Sequence, residues 1–276
     1  MKGESGLPGN VLITGASSGI GLATARLLTA RGYKVVGTCR HPESVQPVPE
    51  FDLVAMDQSD PLSVERGFAE AKRRLGSIDI LINNAGAGEL GAVEDTPPAE
   101  ARRLFEVNYF SAVELTRLCL PAMRERGAGV IVQLGSIVFS LQFPFKAQYC
   151  ASKAALSGFT LSLRHEVKPF GIRVHLLEPG WVRSEFHSRL NPIAPPGSAY
   201  AARLVPFLDY ARDSDPSVPD GAHVARVILD TIENPRAPVR IAVGGDAKKF
   251  FRIRRFLSDH MMDKILGWKL SRKGSL

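Results

Sequence analysis

Short apolar runs alternate with amphipathic segments along most of the chain. Seven runs are apolar on both faces, which predicts strands buried inside a parallel sheet. These predicted strands cover residues 10–13, 34–39, 51–56, 79–82, 129–134, 172–177 and 239–243. Apolar residues with a helical period predict helices over residues 22–31, 62–75, 98–126, 149–170 and 220–233. The alternation predicts an α/β fold with helices on both faces of a doubly wound parallel sheet.

The chain contains no long linker and no internal repeat, so we expect a single domain over residues 1–245. Regular periodicity is lost over residues 181–219, where several residues break regular structure. We interpret this segment as a lid or substrate loop. The breaking residues are Pro192, Pro195, Pro196 and Gly197. Residues 246–276 follow the last predicted strand as a helical extension.

Positive charge is concentrated in the C-terminal extension. Residues 246–276 contain nine Lys or Arg and three Asp, which accounts for six of the seven net positive charges. Because the domain is then almost neutral and carries no recognisable nucleic-acid-reading element, nucleic-acid binding is not expected. Three widely spaced cysteines and the lack of an apolar run in residues 1–10 predict a cytoplasmic protein. The sequence shows no metal-binding pattern and no stretch long enough to span a membrane.

A glycine-rich turn over residues 14–21 lies between the first predicted strand and the first helix. Glycines allow close approach of the backbone, and a helix N-terminus attracts phosphate. Strand, glycine turn and helix in this order predict a Rossmann-type dinucleotide site, although a plain turn between strand and helix is the alternative. The predicted cofactor-binding residues of the turn are Gly15, Ser17, Ser18, Gly19, Ile20 and Gly21.

The end of the second predicted strand indicates which dinucleotide binds. An NAD site carries an acidic residue there, roughly 20 residues after the glycines, to bind the ribose. This chain instead has Thr38, Cys39 and Arg40. A guanidinium matches a 2′-phosphate in charge and in the geometry of its donors, so the sequence predicts NADP(H). The alternative is that Arg40 is a solvated loop residue.

Other strand ends carry further candidates for cofactor contact. Asp57 follows the third strand, and we interpret it either as a ligand of the adenine amino group or as the cap of the helix starting at Pro61. Small or amide-bearing residues at the ends of the fourth and sixth strands allow close approach of a ligand or of a neighbouring turn. They are Asn84, Ala85, Gly86, Pro179 and Gly180.

Tyr149 and Lys153 lie one helical turn apart, on the same face of a predicted helix. A nearby ammonium favours the phenolate, so the pair predicts a proton donor and acceptor. A half-buried tyrosine beside an extended lysine is the structural alternative. Ser136 follows the fifth strand, and Asn108 falls on the inner side of a helix, where its amide must bond backbone or water.

These motifs, in this order and spacing, resemble those of the short-chain dehydrogenases/reductases over residues 8–245. The resemblance rests on the glycine turn, the Asn-Asn-Ala-Gly run at 83–86, Asn108, Ser136, the Tyr-x-x-x-Lys pair and Pro179-Gly180. The run from Phe143 to Lys153, together with Ser18 and Arg40, is similar to the 17β-hydroxysteroid and retinol dehydrogenase branch.

The resemblance implies hydride transfer between a nicotinamide and a carbonyl or alcohol carbon. In this family pattern, Tyr149 would exchange the proton, Ser136 would hydrogen-bond the reacting oxygen, and Lys153 would lower the Tyr149 pKa and hold the ribose. Asn108 would hold a water that links Lys153 to solvent. The nicotinamide ring would be held by Pro179, Gly180 and Val182. Family members form dimers or tetramers through the helices that here carry Asn108 and Tyr149.

The substrate region is expected to be apolar. Its predicted lining is Val138, Phe143, Phe145, Trp181 and Phe186. These side chains favour a steroid-, retinoid- or lipid-like substrate, and ordinary packing beneath a lid is the alternative. A 3-oxoacyl thioester or small ketone as substrate, and a non-catalytic NADP-binding sensor, are the other hypotheses. The basic extension predicts peripheral contact with a membrane, or packing against the enzyme itself or another subunit.

Overall fold

Seven parallel strands form the sheet in the part of the chain that the computed structural model describes, which is residues 8–46, 48–183, 186, 190–204 and 218–271. The strands are β1 (Asn10–Thr14), β2 (Lys34–Cys39), β3 (Asp52–Ala55), β4 (Ile80–Asn83), β5 (Gly129–Leu134), β6 (Ile172–Pro179) and β7 (Arg240–Val243). Their order across the sheet is β3-β2-β1-β4-β5-β6-β7. The predicted doubly wound parallel sheet is therefore confirmed.

Helices cover both faces of this sheet. They are α1 (Gly19–Ala30), α2 (Pro61–Leu75), α3 (Pro98–Phe105), α4 (Ser111–Arg126), α5 (Ala147–Val167), α6 (Gly221–Glu233), α7 (Gly245–Arg254) and α8 (Asp259–Ser271). An apolar core lies on each face of the sheet, and alternate residues of β1 pack into one or the other. Val11 and Ile13 pack with α1 and α6, whereas Leu12 packs with α2, α4 and α5. This two-sided burial explains why β1 is apolar at the successive positions 11–13.

The sheet order reverses at β1, because β2 lies on one side of it and β4 on the other. In an open α/β sheet the crevice at such a reversal, beyond the carboxyl ends of the strands, is where ligands bind. The glycine turn follows β1 and residues 84–86 follow β4, so both predicted cofactor segments border this crevice.

The helical pattern over residues 98–126 is continuous but not uniform. A π-helical turn, Glu106–Phe110, separates α3 from α4 and contains the buried Asn108. The backbone N–H of Ala87 donates to Asn108 Oδ1 at 2.8 Å, and Asn108 Nδ2 donates to Ala87 O at 2.9 Å and to Ser152 Oγ at 3.0 Å. The widened turn therefore fixes the loop after β4 to both α4 and α5.

The C-terminal extension packs partly against the domain. Ala247 of α7 is buried, and Phe251 stacks on Phe139 with the guanidinium of Arg240 near both rings. Leu266 of α8 packs against an apolar cluster that contains Phe143. The hypothesis that the extension covers its own enzyme is thus correct for these residues. The lid interpretation over residues 181–219 falls partly outside the described residues, because 184–185, 187–189 and 205–217 are not described.

Candidate active site

The glycine turn lies close to the loop after β4. A Cβ on Gly15 would approach the Ala85 Cα to 3.0 Å, and one on Gly21 would lie 2.0 Å from the Gly15 carbonyl oxygen. Gly15 also has a positive φ of 68°. The turn therefore requires glycine at both positions, and it presents the N-terminal end of α1 to the crevice.

Asn84 fixes the shape of this turn. Its Nδ2 donates to the carbonyl oxygens of Thr14 at 2.8 Å and Gly15 at 3.1 Å. The Thr14 hydroxyl accepts hydrogen bonds from the backbone N–H groups of Asn84 at 3.0 Å and Ala85 at 2.9 Å. The Asn84 side chain was expected to allow close approach of a ligand or of the neighbouring turn. In the structure it hydrogen-bonds the turn.

Arg40 and Asp57 line the same end of the crevice. Asp57 Oδ1 accepts hydrogen bonds from the backbone N–H of Ser59 at 2.9 Å and from its hydroxyl at 2.7 Å. Burial alone would raise the pKa of Asp57, but these hydrogen bonds and the charges of Arg40 and Arg103 lower it below its usual value. The interpretation of Asp57 as a helix cap is wrong, because Asp60 Oδ1 accepts from Leu62 N and caps α2.

The sequence did not predict two further residues that line the crevice near Asp57. Arg103 of α3 forms a bidentate pair with Glu100 at 2.6 and 2.8 Å, and its position adds a second guanidinium near Asp57. A Glu-Arg pair at this spacing is typical of a solvated helix face, so local pattern did not distinguish it. Gln58 also lines the crevice, and its buried Nε2 has no hydrogen-bond partner among the described residues.

Tyr149 and Lys153 both line the crevice from α5, as their spacing predicted. Lys153 is 5% exposed, and its Nζ donates to the Leu134 carbonyl oxygen at the end of β5 at 2.8 Å. Burial lowers the pKa of Lys153 to about 8. The lysine is therefore held by the sheet instead of extending into solvent, and the structural alternative of an extended lysine is wrong.

Ser136 interacts directly with Tyr149. Burial raises the pKa of the Tyr149 phenol, and the hydrogen bond with Ser136 partly offsets that rise. Lys153 is not among the groups that shift the Tyr149 pKa in this structure, so the expected effect of Lys153 on that pKa stays a prediction. The Ser136 hydroxyl also accepts from the Val138 backbone N–H at 3.4 Å.

The end of β6 and the residues that follow it border the crevice. Pro179, Gly180 and Val182 all line it. The Asp246 carboxylate accepts a hydrogen bond from the Trp181 backbone N–H at 2.8 Å, and a Cβ on Gly180 would lie 2.0 Å from Asp246 Oδ2. Asp246 was not predicted, because it lies 65 residues from its partner along the chain.

Four of the five predicted substrate-pocket residues line the crevice: Val138, Phe143, Trp181 and Phe186. Phe145 does not. Its φ of 62° is in the left-handed region, its carbonyl accepts from the Gly91 N–H at 2.9 Å, and its ring packs behind the crevice against the Phe143 cluster. Lys146 and Leu190 line the pocket instead and were not predicted. The entire crevice, from the Arg40 end to this pocket, encloses about 650 Å³.

Comparison with known proteins decides the family. A family model described as short chain dehydrogenase matches residues 9–193. The chain belongs to the short-chain dehydrogenase/reductase family. The predicted family is thereby confirmed.

Similarity to individual proteins extends over nearly the whole chain. The chain is 30% identical to a 3-ketodihydrosphingosine reductase of Bacteroides thetaiotaomicron, over 94% of this chain and 97% of that protein. A short-chain dehydrogenase of Burkholderia cenocepacia in complex with NADP is 25% identical, with a TM-score of 0.75 and coverage of 93% and 96%. A 3-ketoacyl-(acyl-carrier-protein) reductase of Brucella melitensis complexed with NADH is 26% identical, with a TM-score of 0.72 and coverage of 86% and 97%.

Among the described residues, no three His, Cys, Asp or Glu side chains are grouped so that they could hold a metal ion. None of the helices in that part of the chain has the length and hydropathy needed to cross a membrane. Cys39, Cys119 and Cys150 are buried free thiols.

Proposed function

We propose that the protein is an NADP(H)-dependent oxidoreductase that interconverts a carbonyl and a primary or secondary alcohol, with Tyr149 as the proton donor and acceptor. The observation that carries this proposal is the convergence of Ser136, Tyr149 and Lys153 at one end of the crevice that begins at the glycine turn. The crevice residues fit a dinucleotide, because the glycine turn, the N-terminal end of α1 and the Arg40 guanidinium all line it.

Each residue has a separate task in this proposal. The bound cofactor supplies or accepts the hydride. Tyr149 donates its phenolic proton to the carbonyl oxygen during reduction and takes it back during oxidation. Ser136 donates a hydrogen bond to the same oxygen as negative charge develops on it. Lys153, whose ammonium donates to the Leu134 carbonyl, would hold the cofactor ribose, and Asn108 would support a water that returns a proton to Lys153.

The preference for NADP(H) over NAD(H) is supported by charge. Arg40 follows β2 in place of an acid, and Arg103 adds a second guanidinium at the same end of the crevice. The Arg40 guanidinium favours a 2′-phosphate, whose oxygens accept bidentate hydrogen bonds, and Arg103, although paired with Glu100, adds positive charge nearby. The Burkholderia relative in complex with NADP is consistent with this choice, whereas the Brucella relative carries NADH.

An apolar, lipid-like carbonyl compound is the proposed substrate class. Phe143, Phe186 and Leu190 form apolar walls around the reacting end of the pocket. The name of the Bacteroides relative describes a long-chain ketone reductase, which suits such walls. A 3-oxoacyl or small-ketone substrate is the second candidate, favoured by the name of the Brucella relative. Steroids and retinoids belong to the first class.

A substrate panel tests the reaction. NADPH oxidation is measured with ketosteroids, retinal, long-chain ketones and small ketones, for the unaltered protein and for Tyr149→Phe. We expect turnover of an apolar ketone that the Tyr149→Phe substitution abolishes while NADPH binding is kept. Turnover that survives the substitution would refute the assigned proton donor, and NADPH binding without turnover of any substrate would favour the sensor hypothesis.

We also propose a homodimer or homotetramer that forms through α4 and α5. Small residues of α5, Ala151, Ala154 and Gly158, are exposed along one side of the helix and allow close approach of a second copy. Phe110, beside the start of α4, is an exposed aromatic residue on the same assembly face. Sedimentation of the unaltered protein and of Ala154→Arg tests this interface, because a bulky charge there would separate the subunits.

For localisation we propose the cytoplasm, with peripheral attachment to anionic membranes through the extension. Buried free thiols suit a reducing compartment. Phe256 is 81% exposed between α7 and α8, and Met261 is exposed on α8. The bases of α7 and the residue after it precede these side chains in the sequence and would attract anionic lipid. They are Lys248, Lys249, Arg252, Arg254 and Arg255.

A further inference from the structure

Lys146 lies in the substrate pocket without an acidic partner among the described residues. It immediately precedes α5, three residues before Tyr149, and it lines the same crevice as Ser136 and Tyr149. The side chain is 4% exposed. Its ammonium lies 5.8 Å from the centre of the Trp181 ring, an interaction that orients the side chain across the pocket.

An aromatic ring alone is a weak partner for a buried cation. Removing an ammonium from water costs several kcal/mol, and a cation–π contact returns only about 0.5–2 kcal/mol of that cost. Burial lowers the pKa of Lys146 to about 8, so the side chain is still mainly protonated at neutral pH. The pocket therefore holds a positive charge among apolar walls, where a methionine of similar length would pack without this cost.

The surrounding groups divide the pocket into three parts. Ser136 and Tyr149 face the reacting oxygen, and Phe186 and Leu190 form apolar surface. Two ammonium groups lie at this end of the crevice among the described residues: Lys153, which donates to the Leu134 carbonyl and is assigned to the cofactor, and Lys146, which remains for the substrate. Arg40 and Arg103 lie beside Asp57 at the other end. A matching ligand has three parts. Its oxidisable or reducible carbon lies at Ser136 and Tyr149, its apolar body packs on Phe186 and Leu190, and an anionic oxygen group meets Lys146.

We propose that Lys146 binds a carboxylate of the substrate, and that the substrates are apolar oxo acids and the corresponding hydroxy acids. This inference rests on the proposed carbonyl–alcohol chemistry and narrows its substrate class. Lys146 immediately precedes α5, and Tyr149 lies in the first turn of that helix. The carboxylate and the reacting carbon are therefore separated by a few carbon atoms, with the alkyl body directed along Phe186 and Leu190.

The test compares an acid with its neutral ester. The probes are 4-oxodecanoate and its methyl ester, with NADPH as reductant, because the two differ in charge and share the ketone and alkyl chain. We expect the unaltered enzyme to favour the acid in kcat/KM by about tenfold or more, as a charge-assisted hydrogen bond predicts. Lys146→Met should lower kcat/KM for the acid by about tenfold more than for the ester, which removes the preference, and Lys146→Arg should retain it.

An equal loss for acid and ester in Lys146→Met would overturn the proposal, because it would mean that Lys146 only supports Trp181 and the pocket wall. The same conclusion would follow if the unaltered enzyme reduced both probes equally well. Each variant is first checked for NADPH binding by fluorescence and for its melting temperature, so that a misfolded variant is not mistaken for a substrate effect.

Failure of the proposed reaction is distinguished by a binding measurement. If the unaltered protein binds NADPH but reduces neither probe, the proposed function fails for this ketone. Calorimetric titration of 4-oxodecanoate into the NADP⁺-loaded protein then still tests Lys146. Binding that is lost in Lys146→Met supports the carboxylate site, and binding that is absent or unchanged in the variant overturns it.

Discussion

The carboxylate of Glu89 holds the first turn of the helix that carries Tyr149. Glu89 Oε1 accepts hydrogen bonds from the backbone N–H groups of Gln148 at 2.6 Å and Tyr149 at 3.3 Å. The first N–H groups of a helix have no partner within the helix, so a side-chain oxygen from elsewhere can cap them. Glu89 follows the loop after β4, and it thereby couples the cofactor side of the crevice to the start of α5.

Glu89→Ala should destabilise the protein, whereas Glu89→Gln should not. Alanine leaves the N–H groups at the start of α5 without an acceptor in a buried place, which costs about 1–3 kcal/mol. Glutamine keeps an acceptor oxygen at the same position. Urea unfolding measures the difference, and turnover of the best ketone should fall more in the alanine variant because Tyr149 loses its fixed position. Equal unfolding free energies for both variants would contradict this role.

The stability of the unaltered protein should also depend on pH through Glu89. Burial raises the pKa of Glu89, with the hydrogen bonds from Gln148 and Tyr149 acting in the opposite direction. A raised carboxyl pKa means that the folded state favours the protonated form. The contribution to stability is therefore fully present below the ordinary glutamate pKa and is lost as the pH rises through the folded value. Glu89→Gln should lack this loss when unfolding is measured between acid and neutral pH.

Gly180→Ala should be destabilising, because the Asp246 carboxylate occupies the space that a Cβ would need. The two would be 2.0 Å apart, so either the segment after β6 or the start of α7 must shift. We expect a loss of about 1–3 kcal/mol in unfolding free energy and a higher KM for NADPH. Gly245→Ala is the matched control, since nothing lies within 4 Å of its Cβ position. A similar effect of both substitutions would show that this contact does not shape the crevice.

Arg40→Asp should shift the cofactor preference towards NADH. Loss of a charge-assisted hydrogen bond and gain of a repulsive carboxylate should lower the NADPH to NADH ratio of kcat/KM by about 10- to 100-fold. Arg124→Asp, an equal change of charge on the exposed side of α4, is the control and should leave the ratio unchanged. If the unaltered enzyme already prefers NADH, the interpretation of Arg40 is wrong.

Local sequence pattern predicted the elements and the residues whose spacing carries their chemistry. The strands, the glycine turn and the Tyr149–Lys153 pair each depend on neighbours within a few residues. Glu89 and Asp246 act through partners 59 to 65 residues away, so no local pattern identifies them. Phe145 was misplaced for another reason: its ring packs against the Phe143 cluster, and an aromatic run does not indicate the positive φ at this residue.

Lys146 was also missed, because a lysine before a helix is usually solvated. Its burial becomes apparent only when Trp181, from the segment after β6, is placed over it. The π-helical turn at Glu106–Phe110 was missed as well, because its apolar residues follow the period of an ordinary helix. Chemistry that depends on packing between distant segments was therefore the part that the sequence did not predict.

Replacement of two exposed apolar side chains should weaken attachment of the protein to anionic vesicles. Phe256 and Met261 are exposed and follow the basic α7 in the sequence, so their burial in a lipid interface would stabilise binding. Burying a phenylalanine side chain contributes about 1.5–3 kcal/mol, so Phe256→Ser with Met261→Ser should weaken binding about tenfold or more. Co-sedimentation with vesicles of equal parts phosphatidylcholine and phosphatidylglycerol measures the binding of each protein. Phe170→Ser, exposed just before β6 begins, is the control, and equal binding of all three proteins would exclude the membrane proposal.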